Sequence, residues 1–431
     1  MKQVPISKDT LLRSEFIRNT SKLVSGTTIA QLIPILIQPI LRRYYSAEIF
    51  GTYAVYLSII GILYGIASLR YEQAIISPED KNEACSIFTV AQLFNIIFSV
   101  LLFIVILLFK NSILSFFNIS EEYSVYLFIA PAGIFLFNLQ QSINLWLIRN
   151  KAFGGVSKIK IVRRSSEGLF QLLFRYLRFS GGLLLGDILG HISNIIYGSI
   201  QIFKKGFTLK GIRWKNLKDT ISKYSEYPKY NAITSFLNAF SMLVPVILIN
   251  KYYGAENAGL FDLSRLLLLT PAALMAGAFS NIMLQRVAEK SKKKHFFINE
   301  IFFLLAIGGI ISIVEFVVLF FFGEQLFSII FGGSWTFSGT ISKILIWPYI
   351  VYFFTISLSS TFIALQRIKV LSLFQLVNFI LVISLLFFTK LDFMDFIKAF
   401  AVLSIGGSLF FFFLLFSVIR EYNRKKSFKS V

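Results

Sequence analysis

The chain has 431 residues, of which 56% are apolar and only 15% charged, against roughly a quarter charged in an ordinary soluble domain. With a mean hydropathy of +0.71 it carries more apolar surface than a soluble protein of this length can hide, which excludes a globular soluble enzyme. A single cysteine, Cys85, rules out an intrachain disulfide or thiolate cluster, and two histidines, His191 and His295, argue against a histidine-rich metal site.

The N-terminal segment Met1 to Lys22 is polar, carries five cations and is followed by no small-residue cleavage site, so it does not read as a secretory signal. Apolar stretches of about 20 residues then recur, each long enough to cross a ~30 Å hydrocarbon core as a helix. Twelve are expected, at roughly 20–41, 48–69, 86–109, 123–148, 159–178, 180–203, 229–250, 257–281, 298–322, 342–365, 368–389 and 396–419. The longest connector expected on the outer side, Gly323 to Ser338, is short and mostly apolar.

The basic residues sort by side. With the N-terminus in the cytoplasm, 31 Lys and Arg fall in cytoplasmic segments and 6 on the opposite side. Such a bias places both termini in the cytoplasm. The net charge of +21 is therefore topological: runs such as Lys292-Lys293-Lys294 face anionic headgroups, and no nucleic-acid partner is expected.

The sequence repeats itself. Arg43-Tyr44-Tyr45-Ser46-Ala47-Glu48-Ile49-Phe50-Gly51-Thr52-Tyr53 aligns with Lys251-Tyr252-Tyr253-Gly254-Ala255-Glu256-Asn257-Ala258-Gly259-Leu260-Phe261 at an offset of 208, with five of eleven positions identical. The expected architecture is all-α and polytopic: a six-helix lobe over 1–203, a basic cytoplasmic linker over 204–228, and a six-helix lobe with a basic tail over 229–431. Two halves of even span number run in the same direction, a parallel repeat with a pseudo-two-fold axis along the membrane normal.

Catalytic signatures are absent: there is no Gly-rich phosphate loop, no Cys/His cluster and no nucleophile elbow, so no cofactor and no enzyme activity are expected. What remains is ionisable residues inside spans, each costing ~2.5–3.5 kcal/mol at a helix centre unless it faces a wet interior. The fifth span is the most polar, with Arg163, Arg164, Glu167, Gln171 and Arg175. Arg163 and Glu167, at i,i+4, are expected to pair and leave Arg164 for a ligand; the competing reading has both arginines snorkelling to the interface. Asp262 and Arg265 share a face of the eighth span, Asp187 and His191 a face of the sixth, and Glu315 lies deepest, in the ninth. Lys343 and Lys398 read as interfacial anchors. Gly182, Gly186 and Gly190 form a small-residue packing ridge. Gln31 and Gln38 make the first span polar, and Pro34 and Pro39 mark it for a kink, as Pro245 does the seventh.

Taken in order, Tyr45-Ser46-Ala47-Glu48-Ile49-Phe50-Gly51-Thr52-Tyr53, Leu69-Arg70-Tyr71-Glu72-Gln73-Ala74-Ile75, Leu147-x-Arg149-Asn150-Lys151 and Ala258-Gly259-Leu260-Phe261-Asp262-Leu263-Ser264-Arg265-Leu266 followed by Pro271 resemble the multidrug/oligosaccharidyl-lipid/polysaccharide exporter superfamily. Within it they resemble the bacterial O-antigen-type flippases. The resemblance implies two six-helix lobes that carry undecaprenyl-diphosphate-linked O-antigen or related polysaccharide repeat units across the inner membrane by alternating access. It also implies a lipid-linked oligosaccharide substrate, membrane lipids, an H+ or Na+ coupling ion, and polysaccharide polymerase and chain-length regulator proteins as partners. Arg163, Arg164, Arg265 and Gln31 are then the substrate-binding candidates. Glu167, Asp187, Asp262 and Glu315 are the coupling or charge-pairing candidates. A cation-coupled multidrug exporter of the same superfamily and a membrane glycan polymerase or ligase are the alternatives.

Overall fold

The computed structural model describes residues 8–210, 212–292 and 296–427; Lys293 and Lys294 of the basic run, His295 and both chain ends lie outside them. Regular structure among the described residues is helical throughout: α1 (Lys8–Tyr44), α2 (Ala47–Ala67), α3 (Lys81–Phe117), α4 (Ser124–Arg149), α5 (Phe153–Tyr176), α6 (Gly182–Lys204), α7 (Trp214–Lys223), α8 (Ile233–Tyr253), α9 (Ala255–Lys292), α10 (Ile298–Phe331), α11 (Thr336–Ala364), α12 (Ile368–Ile383) and α13 (Phe393–Ser427). Ten stretches among the described residues are long and apolar enough to cross a membrane. α5 is not among them because of Lys158, Lys160, Arg163, Arg164, Glu167 and Arg175. The protein is an all-α polytopic membrane protein.

Several helices outrun the expected spans. α9 has 38 residues, about 57 Å at 1.5 Å per residue, so its ends project beyond the hydrocarbon core. A continuous helix keeps its backbone bonded wherever apolarity ends, so hydropathy marks where the membrane lies and not where the helix stops. For the same reason the connector expected over Gly323 to Ser338 is largely helical. α10 runs to Phe331, a short 3-10 turn covers Gly333–Trp335, and α11 begins at Thr336. α1 passes through Pro34 and Pro39, and α8 through Pro245, without interruption. Among the described residues, non-helical backbone angles inside a helix fall at Phe109 of α3 (φ −119°, ψ 24°).

The chain forms two compact units, Met1–Tyr45 with Ile59–Phe236, and Ser46–Ser58 with Leu237–Val431. In the first unit α5 is flanked by α1 and α6, and small residues set the spacing. A Cβ on Gly26 of α1 would lie 2.2 Å from Ser157 Cβ of α5, and one on Gly168 of α5 would lie 2.2 Å from Ile37 Cδ1 of α1. On the other flank the ridge of α6 meets α5, with Gly186 against Gln171 (2.3 Å) and Gly190 against Glu167 (2.8 Å). Close approach of this kind is how helices associate where no hydrophobic drive separates protein from lipid. It also shelters Glu167, a charged residue of α5.

In the same unit α7 lies on α3 through Leu217, which joins Tyr71, Val90 and Ala91 in a small apolar cluster. Residues 214–223 of the segment expected as a basic linker thus form an amphipathic helix, with Lys215 and Lys218 exposed.

In the second unit α9, α10, α11 and α13 pack around an aromatic and aliphatic core that includes Phe297, Phe362 and Phe411. The start of α2 joins this unit through the repeated motif: Gly51 and Gly259 each face the backbone of the other's helix. α3, α10 and α12 leave many apolar side chains exposed, as Leu108 (72%), Phe303 (66%) and Ile380 (57%) illustrate, which marks these faces as lipid-facing.

Candidate functional site

The charged residues of α5 and α6 meet in a buried network inside the first unit. Arg163 donates through Nη2 to Asp187 Oδ1 (3.2 Å) and to His191 Nε2 (2.9 Å). A guanidinium can only donate, so Nε2 is the acceptor and the ring proton sits on Nδ1, which donates to Gln140 Oε1 of α4 at 2.8 Å. Asp187 and His191 are almost completely buried, at 1% and 2% exposure. Arg164 donates to Glu167 Oε2 at 2.8 Å. The pairing expected from spacing is thus exchanged: Glu167 takes Arg164, and Arg163 turns to α6. Spacing along one helix admits both i,i+3 and i,i+4 partners, and the nearby Asp187 decides between them.

Beside this network lies a cavity of about 230 Å³, and its lining includes Gln31, Gln140, Asn144, Lys160, Arg163 and Arg164. Lys160 donates to Thr27 Oγ1 of α1 at 3.1 Å, which holds its ammonium at the cavity wall. Arg163 Nε and Asn144 Oδ1 are buried with no partner among the described residues. Buried polar atoms normally find a partner, so these two mark hydrogen-bonding capacity that protein groups leave unused. A wall carrying two guanidinium groups, an ammonium and four amides suits an anionic oxygen-rich group, and arginine's planar fork matches phosphate geometry. Of the expected binding residues, Gln31, Arg163 and Arg164 line this one cavity, with Glu167 and Asp187 paired to its arginines.

Arg265 belongs to the second unit. Its Nη2 donates to Asp262 Oδ1 at 2.9 Å, and it lines a cavity of about 350 Å³ together with Asn238, Tyr352, Gln375, Asn378 and Ser408. Glu315, on α10, is half-buried and enters no ion pair among the described residues. Lys343 pairs with Glu324 (2.6 Å) and Lys398 with Asp395 (2.8 Å).

Residues 40–339 match the family model described as polysaccharide biosynthesis protein. The chain belongs to that family. No curated protein sequence matches it. Among solved structures it is similar to an inward-facing multidrug resistance MATE family transporter of the MOP superfamily, with a TM-score of 0.73, 13% identity and coverage of 93% of this chain and 99% of that one. It is also similar to the lipid II flippase MurJ in an inward closed conformation (TM-score 0.69, 16% identity, 93% and 88% covered). A third is a MOP superfamily transporter from Pyrococcus furiosus, titled for the reverse polarity of its binding pocket (TM-score 0.62, 14% identity, 95% and 96% covered). At these identities the likeness is one of fold: the MATE and MurJ transporter fold.

In this member of the polysaccharide biosynthesis family, some of the groups at the cationic cavity escape a reading based on charge. Gln140, Gln141 and Asn144 are neutral and sit in the mostly apolar α4, where amides at i,i+3 and i,i+4 spacing were the available signal. A second buried network was missed. Glu72, fully buried, accepts from Ser68 Oγ (2.5 Å) and from Arg70 Nη1 (3.3 Å), while Arg70 Nη2 donates to Ser235 Oγ (2.7 Å). Its signal was the motif Leu69-Arg70-Tyr71-Glu72 itself, whose Leu69 and Arg70 adopt left-handed backbone angles (φ 52° and 62°).

Proposed function

We propose that the chain is a flippase for undecaprenyl-diphosphate-linked O-antigen or related polysaccharide repeat units. It sits in the bacterial inner membrane with both termini cytoplasmic, and is a transporter without enzyme activity. The observation that carries the reading is the cationic, amide-rich cavity of the first unit, set inside a membrane-embedded bundle in a member of the polysaccharide biosynthesis family. A glycan's hydroxyls left unsatisfied in hydrocarbon cost several kcal/mol each, so spontaneous flipping is negligible and a polar path is needed. Arg163, Arg164 and Lys160 would receive the diphosphate, with Gln31 and Asn144 bonding its oxygens, while the polyprenyl tail stays in lipid. Asp187 and Glu167 hold the arginines in place; Asp187, Asp262 and Glu315 are the groups open to a coupling H+ or Na+. Support for a lipid-linked cargo also comes from the fold shared with a protein named as a lipid II flippase.

The multidrug-exporter reading shares the fold, but a cavity walled by Lys160, Arg163 and Arg164 repels organic cations.

The test is surface glycan display in a strain that lacks the gene. Each charge-assisted contact to phosphate is worth ~1.5–3 kcal/mol, so Arg164→Ala should weaken cargo binding by roughly 10–100-fold and abolish display at normal protein level, with partial rescue by Arg164→Lys. Full display by the Ala variant removes the cavity from the path. Export of small organic cations by the purified protein, with glycan display intact in the deletion strain, would establish the exporter instead.

A further inference from the structure

The cavity of the second unit has a different chemistry from the one assigned to the diphosphate. Its volume of about 350 Å³ lies within the ~300–1,000 Å³ typical of small-molecule sites. At roughly 30 Å³ per water it holds the space of about a dozen waters, enough for one or two sugar rings. Arg265 is the one formally charged residue among its described lining, and Asp262 compensates it. The wall is otherwise amides, hydroxyls and aromatic rings contributed by α8, α9, α11, α12 and α13.

Several polar atoms of its lining residues keep hydrogen-bonding capacity to spare. Gln375 Oε1 and Arg265 Nε are buried with no partner among the described residues. Among the described residues the hydroxyl of Tyr352 meets the thioether of Met242, at 3.9 Å. Ser241 and Thr355 donate to carbonyls of their own helices, those of Leu237 (2.8 Å) and Val351 (3.1 Å), which leaves their oxygens as acceptors. An acyl chain would satisfy none of these groups, and an organic cation would find its natural partner, Asp262, already engaged. An anion would meet a single guanidinium already paired with Asp262, without the second arginine and the ammonium of Lys160 that the first cavity adds. A pyranose meets all the requirements: it has hydroxyls that both donate and accept, and carbon faces that lie on tyrosine rings.

We propose that this cavity is a subsite for an uncharged sugar residue of the cargo, with Asn238, Gln375, Asn378 and the Arg265–Asp262 pair bonding its hydroxyls and Tyr349 and Tyr352 flanking its ring. The proposal rests on the flippase reading and adds to it a division of labour: charge is recognised in the first unit and sugar in the second.

The test uses the full-length protein in detergent. Saturation-transfer NMR is run with a panel of uncharged methyl glycosides (glucoside, galactoside, rhamnoside and N-acetylglucosaminide) at millimolar concentration. The variants Asn378→Leu and Gln375→Met keep side-chain size and place apolar groups in apolar helices, so insertion and monodispersity, checked by size exclusion, should be retained. The expected result is a transfer signal from at least one glycoside, reduced at least tenfold in either variant and retained in Lys398→Ala. No signal from any glycoside, or one that persists in both variants, overturns the subsite. The flippase reading fails separately: surface glycan that is independent of the gene overturns it whatever the NMR shows. Gene-dependent display with no sugar signal leaves it standing and removes only the subsite.

Discussion

Gly51 and Gly259, equivalent positions in the two copies of the repeated motif, are packed reciprocally. A Cβ on Gly51 would lie 1.7 Å from the carbonyl oxygen of Ala255, and a Cβ on Gly259 would lie 2.0 Å from that of Ala47. Ala47 and Ala255 each stand four residues before their own glycine, so each half of the contact is the image of the other. A self-complementary contact of this kind is what two copies of one ancestral segment make when they meet face to face. The identities at Ala47/Ala255 and Gly51/Gly259 therefore have a direct structural cause.

The obstructing atoms at this contact are backbone, which cannot rotate away. We expect Gly51→Ala and Gly259→Ala each to destabilise the protein by about 1–3 kcal/mol through overpacking, read as a lower melting temperature in detergent. The double variant should cost less than the sum, because the first methyl already separates the helices that the second would push apart. Strict additivity would show that the two glycines do not share one contact.

Removing Arg163 strands a buried carboxylate. Arg163→Ala should lower stability by about 3–5 kcal/mol, since Asp187 is left without its cation in a low-dielectric interior. Arg163→Met combined with Asp187→Asn should recover most of that loss, as the uncompensated charge is gone. Thermal unfolding of these two variants beside the parent protein checks this. A double variant as unstable as Arg163→Ala would place the cost in packing and not in charge.

Glu72 accepts from both Ser68 and Arg70. Hydrogen bonds to a charged group contribute ~1.5–3 kcal/mol, so Glu72→Ala, which removes both, should destabilise more than Glu72→Gln, which retains an acceptor oxygen. Equal melting temperatures for the two would show that the carboxylate contributes nothing beyond its volume.

The docking of α7 gives a prediction about salt and pH. Lys223 bonds Glu83 Oε1 at 2.5 Å and Tyr224 donates to the same oxygen at 3.1 Å, but Lys223 is 62% exposed and such pairs contribute little. Hydrogen exchange over residues 214–223 should therefore change little in Lys223→Ala or in high salt, and rise sharply in Leu217→Ala, which opens the apolar cluster. The hydrogen bond to Glu83 raises the Lys223 pKa above its ordinary value of 10.5. A raised lysine stabilises the docked state fully below its unfolded pKa and loses that contribution as pH climbs through the folded one. Because the pair contributes little, protection should stay flat from pH 7 to 9 and decline only slightly above about pH 10, no more than in Lys223→Ala; a sharp loss above pH 10 would show that the Lys223–Glu83 pair, and not Leu217, holds the helix.

Much of this protein was legible in one dimension. Lipid demands long apolar helices with satisfied backbones, so composition alone determined the all-α membrane class, and the repeated motif exposed the duplication before any contact was seen. The polarity of α5 and the charges of Arg163, Arg164, Asp187 and Glu167 also stood out, because ionisable groups are costly in a bilayer. Partner choice was left to tertiary structure. Whether Glu167 holds Arg163 or Arg164 depends on Asp187, a residue on another helix that spacing along α5 cannot register. The same holds for Gln140 and Asn144, which are unremarkable amides until α4 brings them to the cavity beside Lys160, and for the separation of Arg265 into a cavity whose charge Asp262 cancels. Periodicity reports which residues share a face; the distance to the next helix, set here by glycines, decides what that face meets.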